Sequence, residues 1–198
     1  MPSNRATTRP ARPTPAELVA AAGRRIPDVI EPGLSVLFCG INPGLWSAAV
    51  GQHFARPGNR FWPALHRSGF TDRQLGPQEQ WELLRYRLGV TNVVARGSAR
   101  ADELSPAELV AGGRALRARA RRYRPIWLAV LGIGAYRTAF DARDAVVGEQ
   151  PERVGDTRIW VLPNPSGLNA HYTLDRLAAE FAALWRAAGG GNAPPDAA

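Results

Sequence analysis

The chain of 198 residues contains no lysine, so all 25 of its cationic side chains are arginines. Without lysine, no side chain offers a Schiff-base amine, a P-loop lysine or a kinase-type phosphate lysine. Cys39 is the single cysteine, which excludes a disulfide framework and a cysteine-based metal cluster. We expect Cys39 to pack in the core, because it lies inside an apolar, strand-like run.

Long apolar runs and metal-ligand spacings are also missing. No apolar run approaches the roughly 20 residues that a membrane helix needs, and the N-terminus lacks the apolar stretch of a secretory signal. We therefore expect a cytoplasmic protein with no membrane partner. His53, His66 and His171 are scattered, and no two of them have the i,i+4 spacing of a helical zinc pair, so we expect no metal site.

The composition is that of a basic, globular domain. The hydrophobic content of 45% and the length fit one domain with a sizeable core. A formal charge of +8 and a pI of about 11.0 favour a polyanionic partner such as nucleic acid. We predict a basic, partly disordered N-terminal arm at residues 1–30, a folded domain at 31–188 and a disordered Gly/Pro/Ala tail at 189–198.

Strand and helix patterns alternate through the domain. Buried strands are predicted at residues 35–39, 89–94, 126–131 and 159–162, and helices at 59–68, 77–87, 106–124, 134–140 and 173–187. The start of the helix at residue 106 is marked by a capping box, in which Ser105 precedes Pro106 and Glu108 follows. This alternation predicts an α/β fold, with a mainly parallel sheet and helices on both faces.

Two of the predicted strands run into Asn-Pro turns. The first is followed by Asn42-Pro43-Gly44 and the last by Asn164-Pro165-Ser166. In an open parallel sheet, ligands bind outside the carboxyl ends of the strands, so these two distant turns are expected to face one cleft.

The residue types in the first turn suit binding and positioning rather than proton transfer. The amide of Asn42 has no titratable charge, but it can hold a water or a base in a fixed orientation. Pro43 fixes the backbone direction, and Gly44 allows a ligand to approach the main chain. Phe54 follows shortly after and offers an aromatic face for stacking.

Four separated segments together resemble one known family. They span residues 40–45, 57–62, 89–92 and 164–168. In this order they are similar to the mismatch-specific uracil/thymine DNA glycosylases of the uracil-DNA glycosylase superfamily, over residues 32 to 185. The resemblance implies a three-layer α/β/α sandwich, a pocket at the strand ends for an extrahelical base, and hydrolysis of the N-glycosidic bond without metal or cofactor.

The resemblance also implies roles for individual residues. Asn42 matches the catalytic asparagine, which orients the water that attacks the sugar C1′ carbon. The expected base-binding pocket consists of Ile41, Gly44, Ser47, Phe54 and Asn92. The expected insertion loop, which would contact DNA and wedge Leu168 into the base stack, consists of Asn164, Pro165, Ser166, Gly167, Leu168 and Asn169.

Within that pocket, Phe54 would stack on the flipped base, and the amide of Asn92 would hydrogen-bond a pyrimidine edge. Ser47 would lie near the pyrimidine 5-substituent. For Asn164, a purely local role in stabilising its own turn stays open.

The chain departs from the family pattern at two places. Asn169-Ala170 stands where bacterial members often carry arginine after the wedge, and Arg176 or His171 are candidate substitutes. Asn42 stands where faster members of the superfamily carry an acidic residue, which argues against high turnover.

The function implied is that of a monomeric, monofunctional glycosylase. Its partner would be double-stranded DNA with a mispaired or damaged pyrimidine, preferentially uracil opposite guanine, and its product an abasic site for base excision repair at the bacterial nucleoid. A non-catalytic protein that binds mismatches or abasic sites is the first alternative. A nucleotide-binding α/β protein is the second, but Gly132-Ile133-Gly134 lacks the third glycine of the dinucleotide fingerprint at Arg137.

Overall fold

The computed structural model describes residues 12–190 as five strands, six α-helices and two 3₁₀ segments. The strands are β1 (Val36–Gly40), β2 (Leu88–Asn92), β3 (Trp127–Leu131), β4 (Gly148–Val154) and β5 (Thr157–Leu162). The helices are α1 (Pro15–Ala20), α2 (Leu45–Val50), α3 (Phe61–Arg67), α4 (Pro106–Tyr123), α5 (Ile133–Phe140) and α6 (Leu174–Ala187), and the 3₁₀ segments are Pro77–Tyr86 and Ala101–Glu103. None of the helices in this part of the chain is long and apolar enough to cross a bilayer.

The strands form one sheet in the order β2-β1-β3-β5-β4. The first four are parallel, and only β4 runs antiparallel to its neighbour β5. Gly40 at the end of β1 lies opposite Asn92 at the end of β2, and Leu131 at the end of β3 lies opposite Leu162 at the end of β5. The predicted mainly parallel sheet is confirmed, and its carboxyl ends coincide at one edge.

Helices cover both faces of the sheet, so the fold is a three-layer α/β/α sandwich. Alternate side chains of a strand point to opposite faces. Phe38 packs in the cluster that also includes Phe61 of α3 and Phe181 of α6. Cys39 faces the other way, into the cluster beneath α4 and α5, and burial raises the pKa of its thiol. The predicted packing role of Cys39 is confirmed.

Several elements differ from the sequence prediction, which included neither of the short helices α1 and α2. The edge strand β4 was not predicted, because it is polar and contains Pro151. A strand that pairs on one side only needs no continuous apolar run, and Pro is tolerated there. The predicted helix at 77–87 is a 3₁₀ segment that is interrupted at Glu79, where φ is −102° and ψ is 18°.

The folded part of the chain begins before residue 31, the predicted boundary between arm and domain. A capping box between Thr14 and Glu17 starts α1, and Ala21, Ile26 and Val29 in the segment after it are buried. The backbones of Val29 and Val90 exchange two hydrogen bonds of 2.9 Å, which joins this segment to β2. The rest of the predicted arm, residues 1–11, lies outside the described residues, as does the tail from residue 191.

The predicted capping box of α4 is present and has a second role. Glu108 accepts hydrogen bonds from the Ser105 backbone at 2.9 Å and from Arg96 Nη2 at 3.1 Å. Arg96 lies in the loop after β2, so the ion pair anchors that loop to the start of α4. The pKa of Glu108 is lowered from 4.5 to about 2, mainly by the hydrogen bond from the Arg96 guanidinium and to a lesser extent by that from the Ser105 backbone.

Glu108→Gln should reduce stability in a pH-dependent way. Glutamine still closes the capping box but loses the ion pair. Because the folded pKa of Glu108 is lowered, its contribution is complete above about pH 4.5 and disappears as the pH falls towards 2. Urea unfolding of wild type and variant should therefore give midpoints that differ most near pH 7, differ less near pH 3 and converge as the pH approaches 2.

Glu82→Gln is the control, because Glu82 pairs with the exposed Arg85 of the same segment. A Glu108→Gln deficit that stays constant from pH 7 to pH 3 would contradict the assigned ion pair.

Candidate active site

A cleft of about 430 Å³ opens at the carboxyl ends of the parallel strands, and both Asn-Pro turns line it. All five residues predicted for the base-binding pocket contribute to the wall, as does Asn42. Of the predicted insertion loop, Gly167 alone does not line the cleft. The remaining lining residues include Ile26, His53, Arg56, Asn59, Ser98, Ala99, Arg100, Ala101, Asp102 and Leu131.

The orientation of the Asn42 amide follows from its hydrogen bonds. Its nitrogen, Nδ2, lies 3.2 Å from the carbonyl oxygen of Pro43, 3.1 Å from that of Arg96 and 2.8 Å from Ser98 Oγ. Carbonyl oxygens can only accept, so the NH₂ side of the amide must face them. Among residues 12–190, no donor bonds to Oδ1, which leaves this oxygen as the free acceptor of a side chain that lines the cleft.

Ser98 completes a directed chain of hydrogen bonds. Its hydroxyl donates to the carbonyl of Arg100 at 2.6 Å, so the same oxygen must accept from Asn42. The Ser98 side chain is buried, and its loop is held by the Arg96–Glu108 ion pair. Asn42 is thus oriented by a rigid support, and the sequence pattern alone did not single out Ser98.

Phe54 presents one aromatic face to the cleft. Its other face stacks on Phe61, with the ring centroids 4.1 Å apart and the planes inclined by 22°. The backbone of Phe54 adopts a φ of +54°, a strained conformation for a non-glycine residue. Within the described chain its N–H donates to no acceptor, so this donor remains available for a ligand.

Three contacts hold the segment that carries Phe54 in this conformation. Gln80 Oε1 accepts from the backbone N–H of His53 at 2.8 Å, and Trp62 Nε1 donates to the His53 carbonyl at 3.3 Å. Ser47 Oγ accepts from the N–H of Ala55 at 3.0 Å. Ser47 is predicted to lie near a pyrimidine 5-substituent. It lines the cleft, and it also stabilises the segment that carries Phe54.

The buried His53 orients Asn92. His53 Nε2 lies 2.9 Å from the carbonyl of Pro27, so Nε2 carries the proton. Burial lowers the pKa of His53, which keeps the ring neutral and Nδ1 an acceptor. Asn92 Nδ2 donates to Nδ1 at 3.4 Å, which directs the amide nitrogen towards His53 and leaves one N–H and Oδ1 for a ligand.

Gly40 lets these groups converge. A Cβ atom at Gly40 would lie 2.6 Å from Asn92 Oδ1 and 3.3 Å from the Phe54 ring. Any side chain at the end of β1 would therefore displace either the amide or the aromatic ring.

The insertion loop is braced internally. Asn164 Oδ1 accepts from the N–H of Ser166 at 3.0 Å, so Asn164 stabilises its own turn, the role left open above. Asn169 Nδ2 donates to the carbonyl of Asn164 at 3.0 Å. Leu168 is nevertheless 72% exposed, and it lies among the residues that line the cleft.

The charged groups of the cleft lie at its rim. Arg56 and Arg100 are exposed, and Asp102, the one carboxylate among the lining residues of the described chain, is paired with Arg100. The one carboxylate among these lining residues is therefore held in an exposed ion pair and is not left free to act as a base. Within residues 12–190, no group of three or more His, Cys, Asp or Glu side chains is arranged to hold a metal ion.

A family comparison agrees with this geometry. Residues 27–189 match the model of the uracil DNA glycosylase superfamily. The chain belongs to the uracil DNA glycosylase superfamily. This confirms the superfamily that the four motifs predict, and it supports a DNA glycosylase role with DNA as the partner.

A solved structure supports the fold of this superfamily member. The solution structure of a candidate uracil DNA glycosylase from Methanosarcina acetivorans matches with a TM-score of 0.57 and 19% identity. The match covers 84% of the present chain and 98% of the other. At this identity the likeness concerns the fold alone.

Several residues in or beside the cleft carried little or no signal in the sequence. Ser98 and Ile26 lie outside the four motifs. Arg60 lies inside the second motif, and its place in that motif was the one sign in the sequence that it has a role. His53 is adjacent to Phe54, but its partner Pro27 is 26 residues away, a pairing that only the fold reveals.

Ser98→Ala should slow base release without weakening DNA binding. The substitution removes an acceptor of the Asn42 NH₂ group, so the amide rotates more freely. A hydrogen bond of this kind contributes about 1 kcal/mol, which predicts a rate roughly fivefold lower under single-turnover conditions.

Ser68→Ala is the matched control, because Ser68 is also buried and donates to a backbone carbonyl, but lies away from the cleft. Equal losses of rate in the two variants would show that Ser98 matters only for stability.

Proposed function

We propose that the protein is a monofunctional, mismatch-directed uracil-DNA glycosylase. It acts as a monomer on double-stranded DNA, rotates uracil or a related mispaired or damaged pyrimidine into the cleft, and hydrolyses the N-glycosidic bond. The abasic site then enters base excision repair. The observation that carries the proposal is the Asn42 amide, whose nitrogen is bound by protein acceptors while its oxygen is free in the cleft.

Asn42 Oδ1 accepts a hydrogen bond from the attacking water and directs its lone pair at C1′. The water oxygen forms a bond to C1′ as the bond between C1′ and N1 of the base breaks. The bonding pair leaves with the base, and the proton of the water is lost to solvent. Because Asn42 orients but does not deprotonate the water, departure of the base must lead the reaction.

The cleft supplies donors to the leaving base. Negative charge develops on the pyrimidine oxygens, and donors that are already in place stabilise it without reorganisation. The N–H of Phe54, a residue that lines the cleft, is one candidate donor, because it bonds to no acceptor in the described chain. The N–H of Ile41 is a second candidate in the first turn.

Asn92 suits the edge of uracil. The free N–H and the Oδ1 of its amide form a donor–acceptor pair, which complements O4 and the N3–H of uracil or thymine. Cytosine presents the opposite pattern on that edge. Because His53 holds the amide nitrogen, the amide does not rotate freely to accept cytosine.

A preference for bases opposite guanine follows from the cost of base flipping. Extrusion costs a few kcal/mol and is least costly for a mispaired base. Leu168 would fill the gap in the stack, and the exposed Arg56 and Arg100 would contact phosphates.

The reaction stops at the abasic site. A bifunctional glycosylase uses an amine to form a Schiff base with the opened sugar, and the sequence contains no lysine to provide one.

Asn42→Ala should lower the rate of base release from a G·U duplex by about 100-fold or more, because the variant no longer positions the attacking water. The measurement is single-turnover release of uracil, with fluorescence anisotropy on the same duplex to confirm that binding is retained. Wild-type rates in the variant would contradict the proposed role. If the wild-type protein binds the duplex and releases no base, the non-catalytic mismatch-binding alternative is correct.

Base release should follow leaving-group quality. Uracil and 5-fluorouracil opposite guanine should be released faster than thymine, because the cleft wall offers no strong base and the reaction depends on how well the pyrimidine carries negative charge. Single-turnover rates on three otherwise identical duplexes test this. Binding of the same duplexes to Asn42→Ala separates chemistry from affinity, and comparable rates for uracil and thymine would contradict the mechanism.

A further inference from the structure

Arg60 connects the two sides of the cleft. It is the N-cap residue of α3, and its guanidinium donates to the carbonyl oxygens of Ser166, Asn169 and Tyr172, with the Asn169 contact at 3.0 Å. Its backbone N–H donates to the carbonyl of Pro165 at 3.0 Å. One residue of the second motif therefore holds four carbonyl groups in and just after the insertion loop.

The chemistry of this contact is specific to arginine. Three backbone carbonyls that converge on one point repel each other unless a cation lies between them. The planar guanidinium presents several N–H donors in fixed directions and can serve all three, whereas a lysine ammonium is a compact point charge. The loop backbone also touches the segment before Arg60, since a Cβ at Gly167 would lie 2.6 Å from the carbonyl of Gly58.

Leu168 does not hold itself in place. Its side chain is 72% exposed, so apolar burial does not determine where it points. Its position follows from the backbone on either side, and Arg60 binds the carbonyls of Ser166 and Asn169, two residues before and one residue after it.

We propose that Arg60 is a positioning residue that sets the conformation of the insertion loop before DNA binds, so that Leu168 is already aimed at the base stack. This inference rests on the proposed function, because it assigns Leu168 the role of a wedge. A loop that is ordered in the free protein does not lose conformational entropy on binding, so its contacts contribute fully to opening the duplex. The contribution of Arg60 should therefore be confined to substrates whose target base must be displaced from a stack.

The first test compares paired and unpaired substrates. In Arg60→Ala, single-turnover release of uracil from a G·U duplex should fall about tenfold or more, as expected when a positioning contact is lost. Release of uracil from an unpaired bubble in the same sequence should stay within about threefold of wild type. Arg60→Lys should be intermediate, because it keeps the charge but serves fewer carbonyls. An equal loss on both substrates would overturn the proposal.

Arg137→Ala is the matched control, since Arg137 also clamps a backbone carbonyl, that of Ala145, away from the cleft. It should leave the ratio of duplex to bubble rates unchanged. A double-mutant cycle with Leu168→Ala tests whether Arg60 acts through Leu168. Once the Leu168 side chain is removed, Arg60→Ala should cause little further loss in the rate of uracil release from the G·U duplex. Additive losses would mean that Arg60 does not act through Leu168.

Hydrogen exchange provides a readout that needs no catalysis. In the free protein, amides of residues 164–172 should exchange faster in Arg60→Ala than in wild type, with no change in the β-strands. Unchanged exchange in this loop would overturn the proposal even if the glycosylase activity is confirmed. A wild-type protein that is inactive on every substrate would refute the proposed function, and the exchange rates would still decide whether Arg60 orders the loop.

Discussion

The parallel alignment of β1, β3 and β5 is the constraint on which the site depends. It places the ends of β1 and β5, more than a hundred residues apart in sequence, at the same edge of the sheet. Only at that edge do the two Asn-Pro turns form one cleft. An antiparallel β1 or β5 would place one turn at the far side of the molecule.

Within this cleft, the direction of the hydrogen bonds determines how the polar side chains are oriented. Backbone carbonyls can only accept, and they orient Asn42 and His53 directly and Asn92 through His53. The carbonyl of Arg96 fixes the amide of Asn42, the carbonyl of Pro27 fixes the tautomer of His53, and the ring of His53 then fixes Asn92. The acceptors and donors left free for a ligand are therefore determined by the backbone, which is the most rigid part of the protein.

The central strands and the motif residues could be predicted from the sequence, because buried parallel strands are continuous apolar runs and the four motifs keep their order. The polar contacts that orient the site residues could not be predicted from the sequence. The bond from Asn42 to Ser98 spans 56 residues and the contact of Arg60 with Asn169 spans 109, and no local pattern encodes such pairs. The strand β4 and the folded segment after Thr14 were missed for the complementary reason, since their stability comes from packing on one side rather than from their own hydrophobicity.

The most direct test is a crystal structure of the protein with a duplex that carries 2′-fluoro-2′-deoxyuridine opposite guanine, since the fluorine slows bond cleavage. The account predicts an extrahelical uracil stacked on Phe54 with its edge at Asn92, a water on Asn42 Oδ1 facing C1′, and Leu168 in the base stack. A uracil that remains paired within the duplex, with DNA bound to another surface and the cleft empty, would contradict it.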